Sequence, residues 1–414
     1  MLLKVAFASL LNRRFTVLLT TLAIAVSVFV MLGVEHIRTE ARQSFSKTVS
    51  GVDLIIGART GQVNLLLYSV FHIGNASNNI SWESYQALTK RPLVAWHIPL
   101  SLGDSHKGHR VLGTTTDYFK HYKYAKKQPL NFAQGEAFNH VFDAVIGAGV
   151  AKKLSYQLGD QIALSHGVAD VSFSKHDDKP FTIVGILNAT GTPVDQTIHV
   201  KLEAIEAIHQ DWPGAGSTTN KTSDDMHNHT GNELTPGSIT AFMVGLTSRV
   251  ATFHFQREVN NYREEALSAI IPGVALTQLW QMMGIVEKVL ALISLLVLVA
   301  SLLGMVTLLL ASMKERTREI TVLRTIGAHA SFIFLLIELE ALLITFMGIV
   351  TGMVLLTITL ATTQSWISSH YGLVIDVNIP GNTMLYYFTG ILSLAAVLAL
   401  LPSIMAYRYS LTKW

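Results

Sequence analysis

Four long apolar runs break up an otherwise mixed chain. They cover residues 16–34 ("TVLLTTLAIAVSVFVMLGV"), 284–312, 331–361 and 382–406. Each is long enough to cross a hydrocarbon core as a helix, which takes about 20 residues at about 1.5 Å of rise per residue. A cleaved signal peptide is the rival reading of the first run. That run is long for such a segment, and no clear A-x-A-like site follows it. Before it, "MLLKVAFASLLNRRF" sets Lys4, Arg13 and Arg14 among apolar positions. This pattern predicts an interfacial amphipathic helix over residues 1–15.

Residues 35–283 carry a different pattern, that of stalks and a globular α+β domain. "EHIRTEARQSFSKTVS" is polar with helical spacing and would continue the first span as a stalk. Short strands are expected at 52–56 and 196–200, with "YQLGDQIALSH" and "KPFTIVGIL" as neighbours in one sheet. Pro180 can sit only at the beginning or edge of its strand. Ser81 reads as the N-cap of a helix and 202–209 as a second helix, while 62–72 is a short helix or an extended segment. A strand-like piece is expected after Pro272, followed by a helical run into the membrane with Trp280 near the interface. Residues 215–238 are polar throughout and read as a loop. The fold class is therefore membrane α-helical, with four transmembrane helices and a large α+β domain inserted between helices 1 and 2.

Orientation follows from the basic residues. Lys314, Arg316, Arg318 and Arg324 lie between the second and third runs, and Arg408 and Lys413 follow the fourth. The positive-inside rule places these segments, and both termini, in the cytoplasm. The domain at 35–283 and the loop at 362–381 then lie outside, and 407–414 forms a cytoplasmic tail. Composition agrees: only 14% of the 414 residues are charged, against about 25% in soluble domains. No cysteine is present, which excludes disulfides and thiolate chemistry. No basic, aromatic-rich groove pattern points to nucleic acid.

Three sets of residues carry candidate chemistry. The first is "SMKERTREITVLRTIGA", directly after the second run. Glu315 and Glu319 alternate there with regular apolar positions, so the segment at 313–330 reads as an ordered helix rather than a solvated loop. Ile320 and Leu323 are three apart and share a face. Arg316, Arg318 and Arg324 can make charge-assisted bonds to carboxylates. The second set is Glu338 and Glu340 inside the third run. Three readings stand for them: pairing across helices, passage of a proton or cation, and interfacial exposure. The third set is histidine-rich. Asp224, Asp225, His227 and His229 fall in "SDDMHNHTGNE", and His166 and His176 in "SHGVADVSFSKHDD". Imidazole with carboxylate suits Zn²⁺ in a transient site, and ordinary surface histidines are the alternative.

The coupling string, the opening "LNRRF" and the domain start "GVDLIIGARTG" together resemble the FtsX/MacB-like permeases of ABC transporters, also called the type VII fold. The resemblance implies a MacB-like periplasmic domain and a location in the bacterial inner membrane. It implies that Met313, Lys314, Glu315, Arg316, Arg318, Glu319, Ile320, Leu323 and Arg324 form the helix that seats on a separate cytoplasmic ATPase dimer. No G-x-x-x-x-G-K-[ST] occurs in the chain, so Mg-ATP would be hydrolysed by that partner and this subunit would be non-catalytic. A second permease copy or a paralogue, a periplasmic protein partner and membrane lipid complete the expected partners. Family members differ in task. Zinc acquisition, lipoprotein release or export, and purely mechanical regulation of a periplasmic protein all remain open. "VNLLLYSVFHIG" would line a cavity for a lipoprotein or rest as an amphipathic helix on the membrane.

Overall fold

The computed structural model describes residues 2–166, 179–209, 235–248, 250–313, 317–371 and 381–412. The chain divides into two compact units. One contains Met1–Glu40, Gly284–Ser365 and Ile375–Trp414; the other contains Ala41–Met283 and Trp366–Val374.

The first unit is helical. Short helix α1 (Leu2–Asn12) leads into α2 (Arg14–Thr48), and after the second unit come α9 (Pro272–Ser312), α10 (Thr317–Thr325), α11 (Ala330–Tyr371) and α12 (Gly381–Thr412). Among the described residues, four helices are long and apolar enough to cross a membrane, in α2, α9, α11 and α12. In α1, Ala6 and Leu10 are buried while Leu3, Phe7 and Leu11 form an exposed apolar stripe at every fourth residue. The bundle is held by close approach rather than by amphipathic stripes. A Cβ added at Gly348 would come within 2.6 Å of the Ile24 side chain, and one at Gly352 within 2.6 Å of the Ala25 carbonyl oxygen. The pair is a G-x-x-x-G on α11 that lets the backbone of α2 approach. Ser27 and Ser301 join α2 to α9 through their hydroxyls, 2.7 Å apart.

Two bounds differ from the sequence expectation. Helix α11 runs on through Tyr371, so the first half of the expected loop at 362–381 is helical. The reason is local: "TTQSWISSHY" contains no Gly or Pro to stop it. In the other direction, the coupling helix is shorter than 313–330. It ends at Thr325, and Gly327 adopts φ +97°, the left-handed C-terminal position that glycine fills without a Cβ clash.

The second unit is built on a mixed sheet. Its main strands are β1 (Leu54–Ala58), β2 (Val94–His106), β3 (His109–Thr114), β4 (Phe132–Gly135), β5 (Asp143–Ile146), β6 (Phe181–Leu187), β7 (Thr197–Lys201), β8 (Ala241–Leu246) and β9 (Leu267–Ile270). Their spatial order is β9-β1-β8-β2-β3-β7-β5-β6-β4. Only β3/β7 and β5/β6 run parallel in this path. Strands β2 and β3 form a hairpin whose two turn residues, Lys107 and Gly108, both have positive φ (46° and 79°), as a twisted two-residue turn requires. The expected pairing of "YQLGDQIALSH" with "KPFTIVGIL" is present as Ile162 opposite Phe181. Pro180 immediately precedes β6.

Helices α3 (Gln62–Val70), α4 (Trp82–Thr89), α5 (Asp117–His121), α6 (Ala148–Leu154), α7 (Leu202–His209) and α8 (Ala251–Asn260) cover the sheet. Residues 62–70 are thus helical, and Ser81 caps α4 by accepting from the Ser84 amide. One core gathers Leu65, Tyr68, Leu100, Tyr118 and Phe138; a second gathers Leu54, Ile56, Phe242 and Phe255. The strand expected after Pro272 lies before it, at β9, and Pro272 opens α9. Proline suits the first helical turn because its missing N–H has no intrahelical partner there. Trp280 stacks edge-on against Phe45, 5.7 Å away, with the Arg42 guanidinium over its ring at 5.9 Å.

Candidate functional site

The coupling segment is organised by one buried side chain. Helix α9 closes with the Ser312 hydroxyl donating to the Leu309 carbonyl, and the Met313 amide bonds Leu310. Nine helical residues follow from Thr317. Within them Ile320 is only 7% exposed and packs against Ile333 and Ile337 of α11 and Ala406 of α12, with Met313 against the same cluster. The helix is therefore seated on the bundle through Ile320. Beyond it, Arg324 Nη1 donates to the Ala328 carbonyl at 3.1 Å and braces the turn around Gly327.

Of the residues expected to meet a partner, Ile320 has its side chain taken up by the protein's own core, and Arg324 bonds the Ala328 carbonyl through Nη1. Among the described side chains the exposed apolar positions are Val322, 55% exposed, and Ile326, 79% exposed. Val322 lies on α10 and Ile326 one residue past its end, with the Ile326 amide still bonded to the Val322 carbonyl at 3.1 Å, so the two share one face. At about 100° per residue, that face points away from Ile320. Both lie within the stretch Met313–Ile326 that the family resemblance implies for the ATPase contact; the signal for these two in particular was the i,i+4 spacing just before a glycine stop. Arg318, Glu319 and Leu323 lie on α10, with only their backbone described; Lys314, Glu315 and Arg316 lie outside the described residues.

The two carboxylates of α11 are separated by their spacing. Glu338 Oε2 accepts a 2.9 Å hydrogen bond from the Ser403 hydroxyl of α12. Glu340 is fully buried. Of the three readings, the Glu338 contact is a pairing across helices.

The metal candidates Asp224, Asp225, His227, His229 and His176 lie outside the described residues, and His166 sits in a two-residue strand with its backbone opposite Asp104. Among the described residues no group of three or more His, Asp or Glu is placed to hold a metal ion. Of the other histidines of the sheet domain, His106 and His199 are buried and His97 is half-buried. His106 bonds the Ala163 carbonyl through Nδ1 and Tyr156 through Nε2, and His97 bonds Tyr85 at 2.6 Å. His199 is fully buried on β7 against Tyr118 and Phe119, and burial lowers its pKa from 6.5 to about 3.

Comparison with known proteins follows these divisions. Residues 17–262 match the family model of the MacB-like periplasmic core domain, and residues 291–411 match that of the FtsX-like permease C-terminal region. The periplasmic region of MacB from Actinobacillus actinomycetemcomitans is similar over 56% of this chain and 94% of its own, at 10% identity and a TM-score of 0.34. The extracellular domain of the noncanonic ABC-type transporter YknZ from Gram-positive bacteria is similar over 53% of this chain and 98% of its own, at 11% identity and a TM-score of 0.31. No curated protein matches the chain. With one family model spanning more than half of the chain and the other spanning the remaining membrane helices, the protein belongs to the FtsX/MacB-like family of type VII ABC transporter permeases.

Proposed function

We propose that this chain is the non-catalytic membrane subunit of an ATP-driven complex, and that a separate cytoplasmic ABC ATPase docks on α10 and moves the MacB-like periplasmic domain. Permeases of this family work with such an ATPase. The observation that carries the reading here is the two-sided chemistry of α10. Ile320 anchors the helix to α11 and α12, while Val322 and Ile326 stand exposed on another face. An anchored helix with an unoccupied apolar face transmits a push from whatever covers that face. Two long helices supply a route: α2 carries residues 14–48 and α9 residues 272–312 without a break. Coupling then means that nucleotide binding to the ATPase and the conformation of the outer domain bias one another. One chain supplies four spans, so a second copy or a paralogue completes the complex. Among the described residues nothing favours zinc or another cargo, and the proposal names none.

The test is co-purification of the cognate ATPase with the double variant Val322→Glu/Ile326→Glu. Two carboxylates on the apolar face are expected to lower recovery of the ATPase at least tenfold, about 1.4 kcal/mol in binding, with insertion of the permease unchanged. Ile320→Ala is expected to act differently, by loosening α10 and lowering the thermal stability of the permease itself. Wild-type recovery of the ATPase with the double variant overturns the docking face.

A further inference from the structure

The periplasmic domain contains a pocket of about 320 Å³ where α2 ends, near the lower limit of the roughly 300–1,000 Å³ of small-molecule sites. Its wall divides by chemistry. Phe45, Phe71, Ile73 and Pro193 line one part; His72, His109, Arg110 and Lys153 line another. Among the described residues no carboxylate lines it. The register of the sheet brings the second group together. Thr197 of β7 lies opposite Arg110 of β3, so residues 109–110 and 196–197 stand side by side.

Hydrogen bonding fixes the two imidazoles. The Thr197 hydroxyl donates its one proton to the Pro193 carbonyl at 2.8 Å, so it accepts from Nδ1–H of His72 at 2.9 Å. His109 donates Nδ1–H to the Gln196 carbonyl at 3.1 Å. In both neutral rings the Nε2 atom therefore keeps its lone pair. His109 is only 4% exposed, and its Nε2 has no hydrogen-bond partner. Arg110 spends Nη2 on the Gly74 carbonyl and Asn75 Oδ1. Among the described residues neither Arg110 nor Lys153 pairs with a carboxylate. A second hollow of about 240 Å³ shares His72 and Arg110 with the first.

A divalent cation does not fit beside two fixed positive charges. A plain hydrocarbon leaves Arg110 and Lys153 unanswered, and a small inorganic anion leaves the aromatic wall empty. We infer that this pocket binds a single-chain anionic amphiphile, with a carboxylate or phosphate-monoester head on Arg110 and Lys153 and an alkyl chain against Phe45, Phe71 and Ile73. Because Ser44, Phe45 and Thr48 belong to the last turns of α2, an occupant touches the end of a helix on the proposed route of transmission. The site itself does not depend on the ATPase docking face.

The experiment uses the full chain in phosphatidylcholine nanodiscs, photolabelled with octanoate carrying a terminal diazirine, with the labelled peptides sequenced. Label is expected on residues around Phe45, Phe71 and Ile73. Unlabelled octanoate and octyl phosphate should compete at least ten times better than octanol or inorganic phosphate. Lys153 and Ile73 are both exposed, so Lys153→Gln and Ile73→Asp leave folding intact; each should cut labelling severalfold. Labelling elsewhere, equal competition by octanol or by inorganic phosphate, or wild-type labelling of both variants overturns the proposal. Protection by phosphatidic acid added to the disc supports it with the bilayer as the source. Persistent labelling with that lipid present supports it with a free amphiphile as the source.

Discussion

The helical unit and the sheet domain choose their interiors by different properties. In the sheet domain polarity decides. Strand β6 alternates buried Phe181 and Ile183 with half-buried Thr182 and Val184, and the core beneath is apolar. In the helical unit nearly every position of a span is apolar, and size decides. Leu18, Leu19 and Leu22 of α2 are exposed, while Ile24, Ala25 and Val28 are buried. What marks the buried side is a small partner, Gly348 or Gly352 on α11. Lipid is as apolar as leucine, so helices there gain by close packing and by hydrogen bonds between hydroxyls rather than by hiding hydrocarbon from water.

The sharpest way to break this contrast is to change size without changing polarity. Gly348→Leu with Gly352→Leu keeps the span apolar but fills the space held by Ile24 and Ala25. Overpacking is expected to cost about 1–3 kcal/mol at each site and to separate α2 from α11. The chain has no native cysteine, so one cysteine on each of these helices reports the contact by disulfide trapping. Trapping at the wild-type level would show that size does not select this interface.

The matching change in the sheet domain removes a buried polar group. Unfolded, His199 takes up a proton as pH falls below about 6.5, whereas in the folded domain burial keeps it neutral down to about 3. The unfolded chain thus binds the extra proton across this window, and stability falls as pH falls. The slope from this one residue is up to about 1.4 kcal/mol per pH unit. Thermal unfolding between pH 7.5 and 4.5 is expected to show a shallower pH dependence for His199→Phe than for wild type, by about 2–3 kcal/mol at the acid end. Parallel curves for the two proteins would remove His199 as a source of acid sensitivity. His72, lowered to about 4 by burial and by Arg110, contributes in the same direction.

A third change sharpens the comparison at its smallest scale. Ser27→Ala and Ser301→Ala delete the hydroxyl pair between α2 and α9. A double-mutant cycle on detergent unfolding is expected to give a coupling of about 0.6 kcal/mol, the average for hydrogen bonds between membrane helices. A coupling above about 2 kcal/mol, beyond the largest such values, would mean that polar contacts rather than size hold this interface.

The two regimes also explain which features were legible. Helix α7 was read within its observed bounds because an amphipathic period shows in the sequence. Strand β9 was misplaced across Pro272 because "ALSAIIPGVAL" is apolar on both sides of the proline, and only sheet pairing with β1 separates strand from helix. The depth of the histidines was not legible, because residue type alone does not report burial. Their anchors, such as Ala163 for His106, are main-chain carbonyls far away in the sequence.

By itself the sequence determined the membrane-spanning segments, the inserted domain, the charged segment after α9 and the family. Each is written in composition or in short contiguous strings, because the cost of a polar group in hydrocarbon constrains every residue of a span. Tertiary structure alone decided which face of α10 is free, which glycines seat α2, and that residues 109–110 meet 196–197 beside the end of α2. Those outcomes depend on contacts between residues distant in the chain. A one-dimensional pattern specifies which residues can be buried, but the choice among equally apolar faces is made by size and register.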